Sequence, residues 1–510
     1  MKLELAKIFG EHMILQREEE IKVWGRSCEG DEILVELGDQ KTRALCKGGE
    51  WLALFAPEKA CEKTSLKVSS AKTGEKICFE DVAIGDVFLA GGQSNMEFIM
   101  KYDFDLPETK TLPSDRLLRQ FTYPQSAYQG HMETNPHPEE GYWRIWDKEE
   151  DRICFSAIAA YMSMDLRETI DVPIGIISCN WGGTPAAAWS ERSELEADEA
   201  IRPILDWHER CVKATDWERY IAASDKRQPE PDEAQKAFND RFMMGEDMTE
   251  FFKNFDPSKL PKLDYMPFEG GPRSNVRPCG LYENMLKKIA PYGVKGFLWY
   301  QGEDDDAREW YSFYDHTMCA LIRSWRKLWE KQLPFYQIEL APFEGVGATG
   351  AKRYDLMRKL QHKVMKQMKD VYNICILDAG ERFNIHPRHK KVVGKRLART
   401  VLKHSYGMKV NADCPEAVEV RVDQGKICIR FENAFEGMKI KGELRDALKL
   451  KKEEKAIDYI FSMDKDTLIL TGDLVKGSLE VSYCEANYCP AVLFNSLDDP
   501  AYAFHFEVEL

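Results

Sequence analysis

From Val82 onward, short apolar segments alternate with longer helical ones, and few folds accommodate that alternation. Ile84–Ala90, Ile174–Cys179, Val294–Tyr300, Phe335–Leu340 and Tyr372–Leu377 are each short, apolar and bounded by polar residues or glycine. Strands buried on both faces read this way. Between them lie segments with helical periodicity, such as Ser156–Glu168 and Tyr311–Leu333. Strands alternating with helices predict an α/β fold with a parallel sheet covered on both faces. Ligands in such sheets bind at the carboxyl ends of the strands, so chemistry is expected just after each strand.

The alternation does not run the whole length. A chain of 510 residues exceeds the roughly 250–300 residues at which one hydrophobic core stops growing, so two or three domains are expected. Residues 1–82 carry short alternating runs, Ile21–Trp24 and Ile33–Leu37, that predict a small β-sandwich. Residues 83–410 carry the α/β pattern, interrupted at about 194–263 by a polar, helix-forming stretch with Trp207 and Trp217 as isolated anchors. That stretch reads as a helical insertion. Residues 411–510 turn all-β again. Ala417–Val422 and Lys426–Phe431 flank Asp423-Gln424-Gly425, a hairpin signal, and Thr467–Leu470 and Ser478–Cys484 continue the pattern.

Charge and composition narrow the function. A formal net charge of −15 repels phosphate backbones, so no nucleic-acid partner is expected. No stretch approaches the roughly 20 apolar residues of a transmembrane helix, so no membrane partner is expected. The opening MKLELAKIFGEHMILQ has no apolar run of signal-peptide length. The 14 cysteines are scattered, without a CxxC or a zinc-ligand spacing. The expectation is a cytoplasmic protein with reduced thiols and with neither metal nor other cofactor.

Four strand-end segments carry groups able to do chemistry. The first is Gly91-Gly92-Gln93-Ser94-Asn95-Met96. Its glycines permit a sharp turn, and Ser94 would stand at the start of a helix, where free N–H groups and positive potential favour an oxyanion. The same position also suits a plain helix cap. The second is Asn180-Trp181-Gly182-Gly183-Thr184-Pro185, whose glycines let backbone N–H groups approach a ligand closely; it is equally a common strand-to-helix turn. The third is Gln301-Gly302-Glu303-Asp304-Asp305-Asp306. Gln301 can donate to an oxyanion, while Asp304–Asp306 reads as an acidic, solvated loop without the spacing of a calcium site. The fourth runs from Asp378 through Glu381, Asn384 and His386 to Pro387. Histidine is a base near pH 7 without large tuning. His386 differs from the chain's other histidines because it follows a strand and introduces a helical pattern, Lys390–His404.

Together these segments resemble the sialate O-acetylesterase family of SGNH hydrolases. The family's ordered motifs correspond to GQSNM at 92–96, WGGT at 181–184, WYQGE at 299–303 and NIHP at 384–387. A following Lys390 or Lys391 and Val393-Gly394-Lys395-Arg396-Leu397-Ala398 extend the likeness, as do Phe9-Gly10 to Arg17 and Phe494-Asn495-Ser496 near the two ends. The resemblance implies a three-layer α/β/α SGNH domain flanked by β-sandwich-like domains. It implies that Ser94 attacks the ester carbonyl, forming an acetyl-serine, and that His386 takes its proton. The oxyanion would be bound by backbone N–H groups of Ser94 and of Gly182 or Gly183. No Gly-x-Asn-Asp block supplies the usual asparagine donor, and Gln301 is its substitute. Gln93, Asn95, Glu303 and Asn384 would support these groups. One departure stands out: where SGNH enzymes place an aspartate three residues before the histidine, this chain has Phe383. Asp378 or Glu381 could complete a triad, or Ser94 and His386 could act as a dyad. The substrate implied is an acetylated sugar, either sialate, whose carboxylate Arg273 or Arg277 could meet, or a hemicellulose oligosaccharide. A carbohydrate-binding module without catalysis is the rival from another class; the joint presence of Ser94, Gln301 and His386 argues against it.

Overall fold

The computed structural model describes residues 2–130, 140–214, 216–225, 233–247, 250, 270–346, 350–453, 455–472 and 477–509. The chain forms two compact units. The first comprises Met1–Ala234, Lys259–Trp299 and His316–Phe335; the second comprises Gln235–Ser258, Tyr300–Asp315 and Tyr336–Leu510.

The 17-residue strand Lys76–Gly92 organises the first unit. Its first six residues alternate between exposed and half-buried, and every residue from Val82 to Gly92 is buried. The change in pattern marks a change of partner. The outer half pairs antiparallel with Cys61–Ser70; the inner half, from Asp86 on, pairs parallel with Ile174–Asn180. Ile174–Asn180 pairs parallel on its other side with Asp115–Thr122, and Trp143–Trp146 closes that edge antiparallel. Gly296–Tyr300 lies beside Lys76–Gly92. The sheet is therefore large and mixed, in a mixed α/β architecture. The helix Ala157–Thr169, close to the expected Ser156–Glu168, packs on strands Ile174–Asn180 and Asp115–Thr122.

The N-terminal strands form a three-stranded antiparallel sheet, Glu4–Leu5, Ile21–Arg26 and Glu50–Phe55, and a second group in which Glu32–Leu37 pairs with Gln40–Leu45 and Cys61–Ser70. The expected boundary at residue 82 falls inside Lys76–Gly92, where the backbone runs without a break. Inside the unit, Trp189, Trp299 and Trp325 meet edge to face, with ring centroids 6.3 Å and 5.4 Å apart. Gly91 lies against them. A Cβ there would stand 2.5 Å from a ring carbon of Trp325, so only glycine lets the strand end pack this closely. The expected insertion is helical where described, with Arg202–Ala214, Trp217–Asp225 and Glu233–Met243; its residues 251–263 lie outside the described ones.

In the second unit, helices Tyr354–Gln367 and Lys390–Tyr406 both pack against the strand Val371–Ile374. The hairpin expected at Asp423-Gln424-Gly425 is present: Asp423 faces Lys426, and Gln424 and Gly425 both take positive φ. This is the backbone a two-residue hairpin turn with right-handed twist requires. Two four-stranded sheets follow. Their inward residues, among them Ile427, Ile429, Leu468, Leu470, Leu479 and Val481, share one core with Cys375 and Leu377. The C-terminal strands thus close their core together with the segment after Val371–Ile374. Among the described residues no helix is long and apolar enough to cross a membrane.

Candidate active site

Within the first unit, Lys76–Gly92 ends in a turn at Gly92, whose φ of 130° is accessible to glycine and costly for other residues. The next element is a four-residue helix, Ser94–Glu97. Gln93, not Ser94, occupies its cap position, so Ser94 is the first helical residue. The Met96 and Glu97 N–H groups donate to the Gln93 carbonyl, and the Ser156 hydroxyl donates to the Met96 carbonyl at 2.7 Å. Asn95 and Met96 are buried and Ser94 is half-buried.

The Trp181-Gly182-Gly183-Thr184 turn is laced to this helix. Trp181 N–H donates to the Gly92 carbonyl at 3.1 Å, and Gly182 N–H donates to Glu97 Oε2 at 2.7 Å. A Cβ on Gly182 would lie 3.2 Å from Ser94 Cβ. The other oxygen of Glu97 accepts the Gln125 amide at 3.0 Å, and the same amide donates to the Asn180 carbonyl at 3.4 Å. One carboxylate thus joins the turns after three strands. It keeps partial exposure, but burial of its oxygens pushes its pKa up to about 7, against the two donors that pull the other way. Gly182 is therefore not the free oxyanion donor expected of it, because its N–H is committed to Glu97. Gly183 has φ 64° and open space where a Cβ would be, which leaves it the better placed of the two. Sequence reasoning missed Glu97 and Gln125. Glu97 lies three residues after Ser94, on the same side of a helix; nothing in the sequence around Gln125 marks it.

Arg277 donates to the Ala127 carbonyl at 3.4 Å and to Glu283 at 3.1 Å, and Arg273 lies over the Tyr128 ring at 4.8 Å. Both therefore border the loop that carries Gln125.

The second unit holds the other candidates. Gln301 is fully buried. Its amide donates to Asp305 Oδ2 at 2.6 Å, and its carbonyl oxygens accept Tyr314 and Gln361. Gly302 follows with φ 146°. The acidic run is not the solvated loop expected from its charge. Glu303–Ala307 is helical, and Glu303, Asp305 and Asp306 are buried. Asp306 accepts the N–H groups of Lys352 and Arg353 at 2.7 and 2.6 Å, and Asp304 binds Arg308 at 2.6 Å. A charge run reads as solvated only while its charges lack partners.

His386 is 7% exposed and stands edge-on to Phe242. Its backbone N–H donates to the Asn384 side chain at 3.0 Å, and Asn384 in turn donates to Glu381 at 3.1 Å. Burial, then the positive charge of Lys390, pushes the imidazole pKa down to about 3, so it is held neutral. Lys390 is itself buried, 5.6 Å from the Tyr300 ring centre, which sets the His386–Lys390 segment beside the strand end that carries Gln301. Neither carboxylate proposed to complete a triad binds the ring. Asp378 is held by both terminal nitrogens of Arg396 at 2.7 Å. Glu381 is divided between Asn384 and the Arg388 N–H. Arg396 also reaches Asp499, so Asp378 serves a structural ion cluster.

Residues 270–403, which include Gln301, His386 and Lys390, match the family model described as carbohydrate esterase, sialic acid-specific acetylesterase. Over that segment the chain is similar to this carbohydrate esterase family. It is a carboxylic ester hydrolase. Curated relatives named sialate O-acetylesterase extend the family likeness beyond that segment. The one from Homo sapiens is 22% identical, with 84% of this chain and 76% of the relative covered. The one from Rattus norvegicus is 23% identical, with 81% and 76% covered. A solved carbohydrate acetylesterase from Xanthomonas citri shares the fold over 99% of both chains, with a TM-score of 0.76 at 24% identity.

Proposed function

We propose that the chain removes O-acetyl groups from carbohydrate through an acetyl-serine intermediate on Ser94, with His386 as general base and the domain built as a three-layer SGNH hydrolase. The observation that carries the reading is the Ser94 turn, a serine opening a short helix against a Gly-Gly turn. Ser94 Oγ attacks the acetyl carbonyl carbon, and neutral His386 takes the hydroxyl proton and returns it to the departing sugar oxygen. Water, deprotonated by the same imidazole, then attacks the acetyl-serine and releases acetate. Backbone N–H groups of Ser94 and Gly183, with the Gln301 amide, stabilise the oxyanion. The pair acts as a dyad, because Asp378 and Glu381 are committed elsewhere. Sialate is the favoured sugar, given the family matched, with Arg273 or Arg277 as the cation for its carboxylate.

A fluorophosphonate should label one serine, mapped to Ser94, and purified protein should release acetate from O-acetylated sialic acid faster than from acetylated xylo-oligosaccharides. Labelling at another serine, or full activity in Ser94→Ala, overturns the mechanism. Preference for the xylo-oligosaccharides overturns the choice of sugar.

A further inference from the structure

The strand Ser478–Tyr483 runs into Cys484-Glu485-Ala486-Asn487-Tyr488-Cys489. The two cysteines sit five residues apart, and the spacing alone matches no common motif. In the fold their sulfurs face each other at 3.5 Å. A disulfide needs about 2.05 Å, so closure asks for a movement of roughly 1.5 Å. Both are free thiols.

The two thiols are unlike. Cys484 is buried at 1% exposure, and burial holds its proton on. Cys489 is half-buried, and the Cys484 thiol and the nearby Arg358 charge favour its thiolate. A more exposed, more acidic sulfur beside a buried one is the arrangement of an attacking and a resolving cysteine.

The loop between them supports the Gln301 segment. Arg358 donates to the Ala486 carbonyl. Phe343 N–H donates to the Asn487 carbonyl at 3.0 Å. The Asn487 side chain accepts Tyr354 N–H at 2.9 Å and donates to the Ala351 carbonyl at 2.9 Å. The neighbouring N–H groups of Lys352 and Arg353 are those that Asp306 accepts, and Asp305 of the same short helix holds the Gln301 amide. The loop between the thiols is therefore connected to Gln301 through hydrogen bonds that alternate with short stretches of backbone.

We infer that Cys484 and Cys489 are a reversible oxidation site for hydroperoxides, and that closing their disulfide loosens the segment holding Gln301. The Cys489 thiolate attacks the peroxide oxygen, giving a sulfenic acid and one water or alcohol. The Cys484 sulfur then displaces the sulfenic hydroxyl, which leaves with a proton as water. Two thiols lose two electrons and two protons, and the O–O bond takes them up.

The test uses the full chain and hydrogen peroxide. Trypsin should release Gly477–Leu510, which contains both cysteines and no others. After peroxide this peptide should be two hydrogens lighter and refractory to alkylation, and dithiothreitol should reverse both changes. Two alkyl groups after peroxide, or linkage of Cys489 to a different cysteine, overturns the site. Amide exchange at Lys352 and Arg353 reads the coupling without reference to activity. It should speed up severalfold on oxidation in the wild type and stay unchanged in Cys489→Ser and Cys489→Ala. A linked peptide with unaltered exchange overturns the coupling. If the chain is the esterase proposed, kcat should fall severalfold in step. Absence of esterase activity would strike that reading alone, because peptide mass and amide exchange are measured independently of turnover.

Discussion

The turn that carries Ser94 and the loop that carries His386 are both strand-to-helix connections, yet they are held in different ways. The Ser94 turn is fixed largely by backbone: Gly92 turns the chain, Trp181 N–H reaches the Gly92 carbonyl, and Gly182 N–H reaches Glu97. The His386 loop is fixed by side chains, with Asn384 bridging Glu381 to the His386 N–H. The contrast fits the roles proposed for the two residues: an attacking serine needs its own backbone N–H positioned, and the Ser94 turn is built from main chain. A proton-accepting imidazole needs its ring neutral, and burial holds the His386 ring neutral. The electrostatics diverge accordingly. Glu97 beside Ser94 is pushed up to about 7, and His386 is pushed down to about 3; both shifts favour the neutral form.

The largest expected effect is on chemistry. Ser94→Ala and His386→Ala should each lower kcat by on the order of 10⁴-fold or more, and the double variant should cost scarcely more than either alone, as the proposed dyad requires. Additive losses measured by steady-state kinetics would show that the two sites act independently. Gln301→Ala should lower kcat by about 100–1000-fold, as loss of an oxyanion donor does. Since Gln301 is fully buried with partners on both amide atoms, its melting temperature should fall too. A rise in KM with kcat intact would instead make it a ground-state contact.

Asp378→Asn should separate the two regions more finely. It removes the charge and one of the two acceptor oxygens facing buried Arg396, so stability should drop by about 1–3 kcal/mol in denaturant melts. Activity should fall far less than in His386→Ala. A loss equal to the histidine's would restore Asp378 to the catalytic machinery.

The smallest effects, taken per pH unit, are in pH dependence. The unfolded chain protonates His386 near 6.5 and the folded chain only near 3. Stability from this site is therefore lost as pH falls through that window, by at most about 1.4 kcal/mol per unit. Glu97 has the opposite sign. The folded chain keeps its proton up to about 7 and the unfolded chain releases it near 4.5, so stability is lost as pH rises through that range. Thermal melts across pH should show the first slope vanish in His386→Gln and the second in Glu97→Gln. In kcat/KM, the acid limb should lie below the ordinary histidine value of about 6.5. A limb at or above it would mean that the base is solvated in the working enzyme.

What the sequence revealed follows the same division. Strand ends, the glycine turns at Gly92 and Gly183 and the hairpin at Gln424-Gly425 were legible, because glycine and apolar periodicity report backbone demands directly. Glu97 with Gln125, and Gln301 with Asp305, were not, because a side-chain partnership across loops leaves no periodic trace. The acidic run misled for the same reason: Asp305 and Asp306 are charged residues whose partners lie four residues back and more than forty residues on. The sequence also read Lys76–Gly92 as beginning only at Ile84, since its outer half alternates with exposed residues and its inner half does not.

That uninterrupted strand has a consequence for anyone wishing to cut this chain into parts. A single backbone segment is hydrogen-bonded at one end to Cys61–Ser70 and delivers Ser94 at the other. Sliding its outer half by one residue would turn every side chain of the inner half to the opposite face and carry Gly91 away from Trp325. The small N-terminal strands are in this sense the gauge against which Ser94 is set, and a shortened gene starting near residue 82 would discard the gauge while keeping the part it sets.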